Sequence, residues 1–200
     1  MTTFVHRYEP GATGDTVLLL HGTGGDENSL MDLGGELMPG ANRLSPRGKV
    51  LEGRAPRFFR RLAEGVFDLE DLALRTRELA DFVGAAAARY AFDPKRVTAI
   101  GFSNGANIAA SLLLANPGVL SRAVLLRAMV PFEPTVIPAL TGTRVWIGAG
   151  EYDEMIPREG TLRLAELLKQ GGAEVTLDWR PAGHRLLGDE LEAVRSWLSR

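Results

Sequence analysis

Residues 97–115 read VTAIGFSNGANIAASLLLA. Val97–Ile100 is a short run rich in β-branched side chains, and the stretch from Asn104 is dense in Ala and Leu, so the string reads as strand, tight turn, helix. The turn is Gly101-Phe102-Ser103-Asn104-Gly105. With 23 glycines and seven serines in 200 residues, a bare G-x-S-x-G is expected about 0.1 times by chance. Its position makes it more specific. A serine between strand and helix occupies a sharp turn where a Cβ two residues away on either side would collide. Glycines at 101 and 105 remove those atoms and leave the hydroxyl exposed above the C-terminal edge of a sheet. The competing reading is an ordinary turn in which Ser103 caps the helix.

Outward from this unit, short apolar runs alternate with helical patterns. The runs are Phe4–Tyr8, Thr16–His21, Val97–Phe102, Ala123–Val130, Arg144–Gly148 and Glu174–Trp179, with a weaker one around Val50. Those at Val17–Leu20 and Ala123–Leu126 do not alternate, which fits strands covered on both faces. From Asp68 to Tyr90, apolar positions recur at steps of three and four and predict a long helix capped by Asp68. Further helices are predicted from Asn104 to the Asn116-Pro117-Gly118 stop, from Glu159 to Gly171-Gly172, and at the C-terminus with Leu191, Val194 and Leu198 inward. Strands alternating with helices predict an α/β fold with a mostly parallel sheet and helices on both faces. No linker-like boundary stands out, so residues 1–200 are read as one domain.

Composition narrows the function. With 23 basic and 25 acidic side chains the net charge is −2. No surplus of cations is present to neutralise phosphates, so nucleic acid is not expected as a partner. No apolar stretch approaches the roughly 18 residues of a membrane span, and the run at Ala123–Val130 is broken by Arg127. The N-terminal Met1–Arg7 lacks the basic-then-apolar pattern of a secretory leader. The chain has no cysteine, which excludes disulfides, thiolate metal sites and a cysteine nucleophile, and fits the cytoplasm. Three scattered histidines make a poor zinc site, so no metal and no cofactor are expected.

A serine hydroxyl needs a neighbouring base. His6 lies in the N-terminal strand and His21 opens a glycine-rich loop. His184 follows the late strand Glu174–Trp179, where it can reach a serine at the same sheet edge in the order nucleophile, acid, histidine. The orienting acid is sought between them. Asp153, after the strand Arg144–Gly148, is the first choice, to hold the second ring N–H of His184; Glu151 and Glu154 are its rivals, and Asp178 lies inside a strand. The loop His21-Gly22-Thr23-Gly24-Gly25-Asp26 can point backbone amides at a developing oxyanion. The amides of Thr23 and Asn104 are the expected donors, with His21 shaping the loop. A phosphate-binding loop is disfavoured, because no Gly-Lys-Ser/Thr follows.

With these blocks in place the chain resembles the serine carboxylesterase and phospholipase/carboxylesterase family of the α/β-hydrolase fold. The matching segments are LLLHGTGGDE at 18–27, GFSNG at 101–105, GEYDEMIP at 150–157 and AGH at 182–184. LSPRGKV at 44–50, PRFF at 56–59 and MVPFEP at 129–134 look closest to a bacterial subgroup linked to hydroquinone and quinone resistance. The resemblance implies a central sheet of about seven strands, a triad of Ser103, Asp153 and His184, and an oxyanion hole from Thr23 and Asn104. The family includes acyl-protein thioesterases, which usually carry glutamine and glycine where Asn104 and Ala106 stand. Dienelactone hydrolases, a related group, use a cysteine that this chain lacks.

A chain of 200 residues leaves no room for a cap domain, so an open, shallow site is expected. Phe58, Phe59, Phe67, Met129, Phe132, Met155 and Ile156 are expected to line it, an apolar cleft suited to small lipophilic or aromatic esters. Arg54, Arg57, Arg60 and Arg61 form either an attractor for an anionic substrate group or a solvated basic face. The reading is a serine hydrolase of short- to medium-chain or aromatic carboxylic esters, whose partner is a small-molecule ester; a homodimer is left open. Its rivals are a thioesterase or lysophospholipase on long acyl chains, and a non-catalytic ligand-binding homologue.

Overall fold

The computed structural model describes residues 4–200; Met1–Thr3, part of the stretch read for a leader, lie outside the described residues. The elements run β1 (His6–Glu9), β2 (Thr16–Leu20), α1 (Met31–Leu37), β3 (Asn42–Pro46), β4 (Val50–Glu52), β5 (Ala55–Arg57), β6 (Arg61–Ala63), β7 (Val66–Phe67), α2 (Leu69–Tyr90), β8 (Val97–Phe102), α3 (Asn104–Ala115), β9 (Arg122–Leu126), β10 (Arg144–Gly150), α4 (Arg158–Gln170), β11 (Glu174–Arg180) and α5 (Gly188–Leu198). Seven strands form one sheet in the order β1-β3-β2-β8-β9-β10-β11. Only β1 runs antiparallel, against β3.

Side-chain alternation along β2 divides the core. Leu18 and Leu20 join one apolar cluster with residues of α2, α3 and α4, whereas Val17 and Leu19 join another with α1 and α5. The sheet is therefore covered on both faces, and all five β2 residues are buried. Each buried leucine stabilises the fold by about 1.5–3 kcal/mol relative to an exposed one. The long helix α2 starts as its sequence predicts, with the Asp68 carboxylate accepting the Asp71 amide at 3.1 Å.

Several elements depart from expectation. The strand beside β2 is β3, whose Asn-Arg-Leu-Ser-Pro string carries one apolar core residue, Leu44. The run around Val50 instead forms the separate β4–β5 hairpin, followed by a second hairpin, β6–β7. The run expected from Ala123 to Val130 ends at Leu126, because Arg127 turns the chain with φ +59°. Among the described residues no helix is long and apolar enough to cross a membrane.

Candidate active site

β2 and β8 are neighbours in the sheet, yet the chain leaves β2 towards β3 on one side and β8 towards β9 on the other. Such a reversal opens a crevice at the C-terminal ends of the strands. The loop after β2 brings Thr23 there and the turn after β8 brings Ser103, while the segments after β10 and β11 carry Asp153 and His184.

Ser103 has φ +53° and ψ −116°, a conformation that costs a non-glycine residue about 1–3 kcal/mol. The surrounding backbone enforces it. The Ser103 amide donates to Leu126 O at 2.8 Å, and Ser103 O accepts from the Asn107 amide at 2.9 Å. A Cβ on Gly105 would stand 2.0 Å from Leu20 O, and one on Gly101 2.6 Å from Gly105 O. The glycines thus permit the turn, as their spacing predicts. The capping alternative fails: the Ser103 side chain makes no hydrogen bond to α3.

The hydroxyl faces an imidazole instead. Ser103 Oγ lies 3.0 Å from His184 Nε2, and His184 Nδ1 lies 2.9 Å from Asp153 Oδ2. The second oxygen, Asp153 Oδ1, accepts the amides of Met155 at 2.9 Å and Ile156 at 3.1 Å. An ionised carboxylate can only accept, so Nδ1 carries the ring proton and Nε2 is free to accept from the serine hydroxyl. The Asp153 side chain is 1% exposed and the ring 22%. Hydroxyl, imidazole and carboxylate form a line through which a proton can leave the serine oxygen. Glu151 and Glu154 are exposed, and Asp178 pairs with Arg180 at 2.6 Å.

His21 braces the loop after β2. Nδ1 donates to Gly22 O at 2.7 Å and Nε2 accepts the Gly48 amide at 3.0 Å. Burial pushes its pKa down, which keeps the ring neutral, and it packs on Phe58 with centroids 4.7 Å apart. His6 bonds Phe4 O and the Tyr90 hydroxyl at the far edge of the sheet.

The loop after β2 closes on itself through Gly25 N–H to Gly22 O at 3.0 Å, and Gly24 N–H donates to Pro56 O at 2.9 Å. The intervening Thr23 amide has no such partner among the described residues. Asn104 is the first residue of α3, so its amide lacks an intrahelical acceptor. Both residues line the same cleft as Ser103. The Asn104 side chain is occupied on one side, its Oδ1 accepting the Phe58 amide at 2.7 Å, while its buried Nδ2 has no partner among the described residues.

The cleft beside Ser103 is shallow and open to solvent. Of the apolar residues expected to line it, Phe67, Met129, Met155 and Ile156 do. Phe58, Phe59 and Phe132 do not: Phe58 and Phe59 are 1% and 0% exposed in the core, and Phe132 packs half-buried against it. Phe58 and Phe59 lie between the two hairpins, which turn their side chains inward, whereas Phe132 follows β9. The arginine cluster also divides. Arg57 is buried at the cleft wall and donates to Thr23 Oγ1 at 2.7 Å and Phe59 O at 3.2 Å; Arg61 also lines the cleft and pairs with Glu52. Arg54 and Arg60 are exposed. Asn107, a cleft residue that sequence reasoning missed, accepts the Met129 amide at 3.0 Å; a polar side chain one turn beyond Ser103 on a helix dense in Ala and Leu was the available signal. Among the described residues no three His, Asp or Glu side chains are placed to hold a metal ion.

The family model described as phospholipase/carboxylesterase matches residues 67–200. MhqD of Bacillus subtilis (strain 168), named as a hydrolase, is 47% identical over 192 residues, 96% of each chain. The crystal structure of the Bacillus cereus carboxylesterase is 44% identical with a TM-score of 0.96, over 98% of this chain and 93% of that one. YahD, solved with malic acid, is 29% identical with a TM-score of 0.93, over 100% of this chain and 98% of its own.

Proposed function

This chain belongs to the phospholipase/carboxylesterase family and has the α/β-hydrolase fold, and from that premise we propose that it cleaves carboxylic esters through Ser103. The observation that carries the reading is the line from Ser103 Oγ to His184 Nε2 at 3.0 Å and from His184 Nδ1 to Asp153 Oδ2 at 2.9 Å. In this mechanism the Ser103 oxygen attacks the ester carbonyl as Nε2 removes its proton. The Thr23 and Asn104 amides stabilise the resulting oxyanion, each contributing about 10²- to 10³-fold. His184 then protonates the leaving alkoxide, and the carbonyl carbon remains bound to Ser103 as an acyl-enzyme. Water activated by the same nitrogen attacks that carbonyl, releasing the acid and restoring the hydroxyl. Asp153 keeps the ring in the required tautomer throughout.

The apolar side chains of Phe67, Met129, Met155 and Ile156 beside Ser103 suit short- to medium-chain or aromatic esters. A second reading concerns charge. Arg57 is 4% exposed, and its nearest carboxylate, Glu52 at 3.5 Å, is held more closely by Arg61 at 2.6 Å. A buried guanidinium only partly neutralised beside the oxyanion donors favours esters that carry a second, anionic group. The relative YahD has been solved with malic acid, a dicarboxylic acid.

One panel tests both readings: p-nitrophenyl esters from two to twelve acyl carbons, with a p-nitrophenyl hemisuccinate added. The proposal expects kcat/KM to peak at the short end. A peak at the long end would favour a thioesterase or lysophospholipase, and no turnover of any member would favour a binding protein. Preference for the hemisuccinate over the neutral butyrate supports the anionic reading, and the reverse order removes it.

A further inference from the structure

Arg127 is a charged side chain with no exposure, and so is its partner Glu190. Their pairing is two-pronged, Nη1 to Oε1 at 2.7 Å and Nη2 to Oε2 at 2.8 Å. The remaining donors reach the loop after β11: Nε donates to Gly183 O at 3.1 Å and Nη2 to Arg185 O at 2.7 Å. These are the two carbonyls on either side of His184. The preceding residue, Leu126, offers its own carbonyl to the Ser103 amide at 2.8 Å. Two consecutive residues at the end of β9 therefore hold the serine turn and the histidine loop.

The arrangement is costly. Removing both charges from water loses hydration that their attraction need not recover, and apolar side chains of similar volume commonly stabilise such a place as well or better. Arg127 also adopts φ +59°, a region that residues other than glycine seldom occupy. Gly148 is shaped to the pair as well, since a Cβ there would stand 2.5 Å from Glu190 Oε1. Stability alone does not account for a guanidinium whose donors are aimed at two particular carbonyls. A planar fork with fixed donor directions, anchored by a carboxylate, is suited to fixing the path of a loop.

We propose that Arg127, anchored by Glu190, is a positioning residue that clamps the backbone on both sides of His184 and so sets the imidazole within reach of Ser103. The effect on turnover rests on the esterase reading above; the effect on geometry does not. Displacing a proton-transferring group by about 1 Å costs on the order of 10²-fold in rate. Loss of the clamp should thus lower kcat and leave substrate affinity nearly unchanged.

The test is the double variant Arg127→Met/Glu190→Leu, which replaces the pair by apolar side chains, alongside Arg127→Lys, which keeps the charge but cannot span two carbonyls. The proposal predicts a folded double variant with kcat for a short p-nitrophenyl ester down about 100-fold and KM within threefold of wild type. Arg127→Lys, which carries the test should the double variant fail to fold, falls in the same direction with KM unchanged. A folded variant with kcat within threefold of wild type overturns the clamp. A crystal structure of the variant gives a reading independent of activity: His184 Nε2 displaced from Ser103 Oγ supports the proposal, and an unmoved ring overturns it. Were wild type to turn over no ester, the esterase reading would fall, and that structure would still decide the clamp.

Discussion

The carboxylate of Asp153 is divided between two tasks: Oδ2 meets His184 Nδ1 at 2.9 Å, while Oδ1 receives the amides of Met155 and Ile156 at 2.9 and 3.1 Å. The backbone bonds fix the carboxylate plane, and the fixed plane fixes the ring. Asp153→Asn keeps the shape but offers Nδ1 a donor in place of an acceptor. The ring must then carry its proton on Nε2, where it can no longer accept from Ser103. The expected outcome is a loss of kcat on the order of 10⁴-fold, as the same exchange causes in serine proteases, with the melting temperature nearly preserved. Steady-state kinetics with a p-nitrophenyl ester check it, and unchanged kcat would move the role to Glu151 or Glu154.

Gly105 packs against the strand next door. Its missing side chain leaves room for Leu20 O and His21 O, which a Cβ would meet at 2.0 and 2.6 Å. Both obstacles are backbone, so neither can swing aside. Gly105→Ala should lower unfolding free energy by about 3 kcal/mol, the upper part of the range for overpacking. Urea denaturation measures this, and a change under about 0.5 kcal/mol would mean that the α3–β2 contact yields more easily than its geometry implies.

His21 gives the fold a pH dependence separate from catalysis. Burial lowers its pKa from 6.5, so the unfolded chain takes up its proton at higher pH than the folded one. The stability contribution is complete above 6.5 and is lost as pH falls towards the lower folded value. Unfolding free energy measured between pH 7.5 and 5.5 should decline in wild type, and the decline should be smaller in His21→Gln. Equal declines in both proteins would place the proton uptake elsewhere.

Much of this architecture can be read along the chain because its signals are local. Val97–Ile100, the glycines at 101 and 105, and the Ala-rich run after Asn104 each state their own conformation, and the structure places strand, turn and helix there. The positions of Asp153 and His184 follow from lying just beyond strands. What escaped depends on distant partners. Strand β3 reads as polar because its Asn42 is matched across the sheet, accepting the Gly11 amide and donating to Thr16 Oγ1. Helix α1 is short and carries Gly34, where a Cβ would meet the Leu19 side chain at 2.8 Å. Phe58 and Phe59 were expected in the cleft, yet only the folding of two hairpins decides which way a loop aromatic faces. Arg127 looked like an interruption in an apolar run, and its meaning appears only when Glu190, 63 residues on, closes beside it.

The most direct measurement is the site of covalent capture by a fluorophosphonate, read by intact mass and peptide mapping on wild type, Ser103→Ala and His184→Ala. A hydroxyl deprotonated by its neighbouring imidazole predicts one adduct per chain, on Ser103, none in Ser103→Ala and far slower capture in His184→Ala. Ester turnover should fall by several orders of magnitude in both variants. Wild-type capture and turnover in Ser103→Ala would contradict the account.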